Sequence, residues 1–217
     1  MDVCPHRMAD AELIPASAEG LVSSISIRQM VWVAFFTALT AVGAWIAVPL
    51  PFSPVPIALA SLFALLSGAI LGKWLGALSQ SVYVLMGLAG IPVFARFTAG
   101  PGIVAGPTGG YLAGYIAGAF VAGMLVEYLP VRRMAVRFAV GLTAGTMVIY
   151  AVGVPWLALV TGMNLTAAMV VGMYPFLPGD ALKVLMGVVL CLGLVGQSSH
   201  VWSTPAAKDL ARQSEND

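Results

Sequence analysis

Asp180 and Lys183 stand three residues apart at the head of an apolar run, close enough to share one face of a helix, and their opposite charges suit a polar ligand. Arg96 is a lone cation in a stretch dense in glycine and proline, from Gly87 to Tyr115. Its planar guanidinium can take a carboxylate through two parallel hydrogen bonds. Gln80 and Tyr83, also three apart within an apolar run, add uncharged polar groups on one helical face. Two cations and one carboxylate leave one positive charge over. That surplus suits a small molecule with a single carboxylate and some hydrogen-bonding groups.

Each residue also has a structural reading. Asp180 and Lys183 can pair at a helix end, with the aspartate favoured by the helix N-terminus. Gln80 and Tyr83 can bond to a neighbouring helix, the usual fate of an isolated polar residue in a membrane. Arg96 has no such simple explanation. The aromatic residues Phe94, Phe97, Tyr111, Trp156, Tyr174 and Phe176 would form the wall, some of them serving as interface anchors.

Catalysis finds no footing. The chain has no Gly-x-Ser-x-Gly elbow, no histidine inside an apolar run, no pair of membrane carboxylates and no phosphate-binding loop. His6 and His200 lie outside the apolar runs, Cys4 and Cys191 have no evident partner, and no metal-ligand spacing occurs, so neither a metal nor a cofactor is expected.

The elements that must position these residues are membrane helices. Of 217 residues, 60% are hydrophobic and 9% charged, and the mean hydropathy is +0.96. Such a balance is that of a polytopic integral membrane protein in the lipid bilayer, and no basic face for nucleic acid exists. Six spans are expected at about 29–48, 57–72, 74–91, 107–128, 138–153 and 178–196, forming one all-α membrane domain over 28–197. Residues 1–27 lack the basic start and immediate apolar core of a secretory signal, and they read, like 198–217, as a cytoplasmic tail. Pro49, Pro51, Pro54 and Pro56 force an extended turn after span 1. Gly68, Gly72 and Gly76, and then Gly106, Gly110, Gly114 and Gly118, recur every four residues and read as helix-packing stripes. Residues 155–175 read as a loop with one or two short surface helices, Asn164 capping one of them.

Six spans sort the basic residues. Arg7, Arg28, Lys73, Arg132, Arg133, Arg137, Lys208 and Arg212 fall on one side, and only Arg96 and Lys183 on the other. The positive-inside rule then places both termini in the cytoplasm. The two exceptions belong to the chemistry-bearing set, and membrane charges usually face a partner or a wet cavity.

Several ordered motifs carry a family resemblance. Pro-Val-Pro-Ile (54–57), Gly-Ile-Pro-Val-Phe-Ala (90–95), Gly-Pro-Thr-Gly-Gly-Tyr (106–111), Gly-Val-Pro-Trp-Leu-Ala (153–158) and Pro-Phe-Leu-Pro-Gly-Asp-Ala-Leu-Lys (175–183) resemble the BioY family, biotin-specific substrate-binding (S) components of energy-coupling factor (ECF) transporters. The resemblance covers about residues 50–190. It implies a six-helix S-component bundle in the bacterial cytoplasmic membrane, with outer loops closing over biotin. Energy would come from ATP-binding cassette ATPases acting through a transmembrane (T) component. By the resemblance Arg96, Asp180 and Lys183 contact the vitamin, Gln80 stands for the family's polar amide on span 3, and Ala34 and Ala38 form the Ala-x-x-x-Ala pattern of span 1 that docks the T component. Which cation takes the biotin carboxylate stays open, as does whether Asp180 or Gln80 bonds the ureido group. An ion-coupled carrier of another small anion, a sibling vitamin S component and a non-transporting scaffold are the competing readings. Ion coupling usually leaves buried carboxylates at mid-membrane, and here only Asp180 is a candidate.

Overall fold

A computed structural model describes residues 26–51 and 53–197; the expected tails lie outside them apart from Ser26 and Ile27. The first helix, α1 (Ile27–Trp45), starts at a capping box. Ser26 Oγ accepts the Gln29 N–H at 3.3 Å, and Gln29 Oε1 accepts the Ser26 N–H at 2.9 Å, which satisfies two otherwise orphaned donors. The proline-rich segment after it closes as a two-stranded antiparallel hairpin. In it β1 (Ala47–Val48) pairs with β2 (Ile57–Ala58), Ala47 opposite Ala58 and Val48 opposite Ile57.

Two short helices follow, α2 (Ala60–Leu71) and α3 (Lys73–Leu88), joined by Gly72 alone. Gly72 has φ +87°, and a Cβ there would meet the Glu127 carboxylate, so the reversal needs glycine. Glu127 Oε1 accepts the Lys73 N–H at 3.1 Å and Oε2 pairs with Lys73 Nζ at 3.2 Å, which caps α3 from a distant helix. At 1.5 Å per residue α2 rises about 18 Å and α3 about 24 Å, against a hydrocarbon core of about 30 Å. The hairpin β1–β2 leads directly into the start of α2.

A 3-10 turn (Ala95–Phe97) and the single-turn helix α4 (Pro101–Ala105) lead into α5 (Gly109–Tyr128). The longest helix, α6 (Met134–Thr161), packs along α5 more extensively than any other pair of helices, and their small residues meet there. A Cβ on Gly118 of α5 would stand 2.9 Å from the Gly145 carbonyl of α6. Arg137, buried in the first turn of α6, donates to the Val126 carbonyl and, at 2.9 Å, to that of Glu127, satisfying the exposed end of α5. Then come α7 (Leu165–Gly172), capped by Asn164 Oδ1 on the Ala167 N–H at 2.7 Å, and α8 (Leu177–Gln197).

One expectation is corrected. Residues 155–161 are not loop: α6 runs through Pro155 to Thr161, and only α7 matches the expected short helices. The burial pattern explains it, since Tyr150, Gly153, Val154 and Leu157 continue one packed face across the proline. Proline is tolerated in membrane helices where neighbouring helices hold the face in place.

Among the described residues, four helices are long and apolar enough to cross a membrane: α1, α5, α6 and Leu177–Leu194 of α8; α2 is apolar but shorter. The core gathers Phe36, Leu62, Leu65, Phe138, Leu142 and Ile149 from α1, α2 and α6. The outer surface is apolar too, with Val31 and Phe35 of α1 and Leu182, Leu185 and Val189 of α8 exposed. A helix bundle apolar inside and out is a membrane protein.

Candidate functional site

One end of the bundle holds two adjoining cavities. They share the hairpin residues Val55, Pro56 and Ala58 and two tyrosines one turn apart on α5, Tyr111 and Tyr115. The narrower, of about 60 Å³, reaches between α2, α6 and α8. The wider, of about 350 Å³, lies under the Arg96 loop and falls within the size range of small-molecule sites.

Asp180 and Lys183 line the narrower cavity. They occupy the first two turns of α8, where spacing puts them on one face and the helix N-terminus favours the carboxylate. Lys183 Nζ lies 3.0 Å from Asp180 Oδ1 and donates to Ser61 Oγ of α2, also at 3.0 Å. Both side chains are mostly buried, at 11% and 13% exposure. The Tyr150 hydroxyl of α6 donates to the other carboxylate oxygen, Oδ2. The pair is therefore electrically balanced, fixed by two hydroxyls, and open to the cavity. It presents an acceptor and a donor side by side, which is what a planar group with both N–H and C=O edges needs.

Arg96 lines the wider cavity, with Tyr83, Phe94 and Thr108 among its neighbours. It is exposed, in the left-handed region at φ 60° and ψ 33°, at the tip of a loop closed by the Phe94–Thr98 bridge. Among the described residues lining the two cavities, Arg96 is the cation with no ion pair. Tyr83 is buried and stands edge-on to Phe94, ring centroids 5.6 Å apart.

The structure thus brings Arg96 and Tyr83 to one compartment and Asp180 and Lys183 to the next. It does not bring Gln80 to either. Gln80 is fully buried between helices, donating from Nε2 to Thr40 Oγ1 at 3.2 Å and Ser67 Oγ at 3.1 Å. Of the expected aromatic wall, Phe94, Tyr111 and Phe176 line cavities, while Phe97, Trp156 and Tyr174 are exposed and do not. Tyr150, Tyr115 and Ser61 escaped the sequence reading. The spacing of Tyr111 and Tyr115 by four, beside the glycine stripe that draws α5 against α6, is the signal that could have found one of them.

Ala34 and Ala38 lie exposed on α1 in one apolar stripe with Val31, Phe35 and Val42. Among the described residues no cluster of metal-ligating side chains occurs.

A family model described as the BioY family matches residues 16–199. The biotin transporter BioY of Thermotoga maritima is 43% identical over 168 residues, which are 77% of this chain and 96% of that protein. The biotin transporter BioY of Rhodobacter capsulatus is 40% identical over 172 residues, 73% of this chain and 88% of that one. Among solved structures, the S-component for biotin from an ECF-type ABC transporter superposes with a TM-score of 0.73 at 26% identity, covering 79% of this chain and 93% of that chain.

Proposed function

The chain belongs to the BioY family, a family of membrane transport components and not of enzymes, and from that premise we propose that it captures biotin for uptake as an ECF S component. One observation carries the reading: Arg96, a cation without an ion pair among the described residues, lines the wider cavity, and the adjoining cavity ends in the balanced Asp180–Lys183 pair. Biotin carries one carboxylate, a ureido group with donors and an acceptor, and an apolar bicycle. The carboxylate goes to Arg96, because Lys183 is already neutralised by Asp180. The ureido N–H goes to Asp180 and the ureido oxygen to Lys183, with Tyr111, Tyr115 and Tyr83 packing the rings and chain.

In this reading six spans cross the bacterial cytoplasmic membrane, both termini are cytoplasmic, and the cavity end faces outward. A T component docks on the Ala34–Ala38 stripe, where small side chains allow close helix approach, and ATP-binding cassette ATPases supply the energy.

Calorimetry on the detergent-purified chain tests it, with biotin, dethiobiotin and biotin amide as ligands and Arg96→Ala alongside. Tight 1:1 binding of biotin that weakens for the amide and for the variant is the expected result. No heat with any of the three would return the site to a different solute.

A further inference from the structure

We propose that Trp45, the last residue of α1, is a positioning residue for Arg96, holding the guanidinium loop over the wider cavity from outside it. The proposal rests on the biotin reading above and deepens it.

Arg96 and Phe97 both have positive φ, 60° and 58°, and neither is glycine. Side chains rarely adopt this conformation, and two in succession persist only where the surroundings over-determine them. The loop is pinned inward on one side. Phe94 is buried against Tyr83, its N–H donates to the Thr98 carbonyl at 3.1 Å, and Gly100 N–H returns to the Gly87 carbonyl at 2.8 Å. On the other side the loop meets Trp45. The indole stacks on Phe97 with centroids 4.9 Å apart and planes 26° from parallel, and its Nε1–H donates to the Pro92 carbonyl at 3.0 Å. One side chain thus grips the loop on both flanks of Arg96, four residues before it and one after.

Neither Trp45 nor Phe97 lines a cavity, so neither is expected to touch ligand. Both are substantially exposed, at 40% and 63%, so the bundle does not depend on them for its core. An exposed tryptophan near a helix end in a membrane protein ordinarily anchors the interface. An anchor, however, would have no reason to stack on the residue next to the carboxylate-reading arginine or to cap a carbonyl of the same loop.

The readout that separates positioning from anchoring is discrimination between biotin and biotin amide, because only Arg96 reads the missing charge. Dissociation constants for both ligands are measured by calorimetry on the full chain and on Trp45→Ala, Trp45→Phe, Phe97→Ala, Arg96→Ala and the Trp45→Ala/Arg96→Ala double variant, with thermal midpoints alongside. Trp45→Ala is expected to weaken biotin on the order of tenfold with the amide little changed, collapsing the ratio toward that of Arg96→Ala. The double variant should bind no more weakly than Arg96→Ala alone. Phe97→Ala should follow Trp45→Ala, and Trp45→Phe, which keeps a ring but loses the bond to Pro92, should fall between. A Trp45→Ala protein with the parent ratio, or effects that multiply in the double variant, overturns the proposal. If Trp45→Ala does not fold, the ratio in Trp45→Phe and Phe97→Ala decides in the same way. If the parent chain does not prefer biotin to its amide, or Arg96→Ala changes nothing, the carboxylate assignment fails first and takes this inference with it.

Discussion

The Tyr150 hydroxyl donates to Oδ2 of Asp180 across the gap between α6 and α8, while Lys183 holds Oδ1. A carboxylate has about four acceptor sites, so two bonds orient it and leave room for a ligand N–H. Tyr150→Phe should therefore bind biotin on the order of tenfold more weakly, since a hydrogen bond to an ionised group is worth about 1.5–3 kcal/mol and water recovers part of it. Titration calorimetry checks this, and an unchanged affinity would leave Tyr150 no orienting role.

The Asp180–Lys183 pair is mostly buried, so breaking it from one side costs more than removing it. Lys183→Met and Asp180→Asn should each lower the thermal midpoint, by an amount corresponding to as much as about 3–5 kcal/mol, and abolish measurable binding. The Asp180→Asn/Lys183→Met double variant should recover most of the stability and none of the affinity. Recovery of both would mean the pair only holds helices together.

Gln80 bonds to Thr40 and Ser67, and its Oε1 is buried without a partner among the described residues. Gln80→Ala should reduce thermal stability by about 1–3 kcal/mol while biotin affinity stays within about twofold. A large loss of affinity with stability intact would instead restore the amide to the ligand's own contacts.

Topology is open to cysteine labelling. Cys191 is fully buried and should react little, and Cys4→Ser removes the other thiol. Met163→Cys and Tyr174→Cys, exposed at the cavity end, should react with an impermeant maleimide on intact cells. Arg132→Cys, exposed beyond the far end of α5, should react only after permeabilisation. The opposite pattern would turn the bundle over.

Charge was the legible part of the site. Arg96 and Lys183 stood out because they broke the sorting of basic residues, and the spacing of Asp180 from Lys183 foretold their 3.0 Å pair. Tyr150 and Ser61 were invisible for the opposite reason: a hydroxyl within an apolar run looks the same whether it bonds its own helix or orients a carboxylate. Gln80 was conspicuous in sequence, yet its partners come from α1 and α2, and only the fold assembles them. Residues 155–175 read as loop because six spans sort the basic residues, and that sorting is blind to the packed face that continues from Tyr150 to Leu157 across Pro155. That Arg96 and Asp180 occupy adjoining compartments, rather than one pocket, depends on the hairpin and on Tyr111 and Tyr115 standing between them.

The single-residue reversal at Gly72 bears on how the protein is made. In the six-span reading proposed above, α2 at about 18 Å and α3 at about 24 Å each fall short of the hydrocarbon core of about 30 Å, so the two would enter the bilayer together as one hairpin. The Glu127 carboxylate that caps α3 is synthesised 54 residues after Lys73. At about 5–20 residues per second the hairpin waits roughly 3–11 s for its cap. In that order of events the tip at Lys73 would stand as an uncapped, charged turn until α5 arrived as the strut that locks the hairpin.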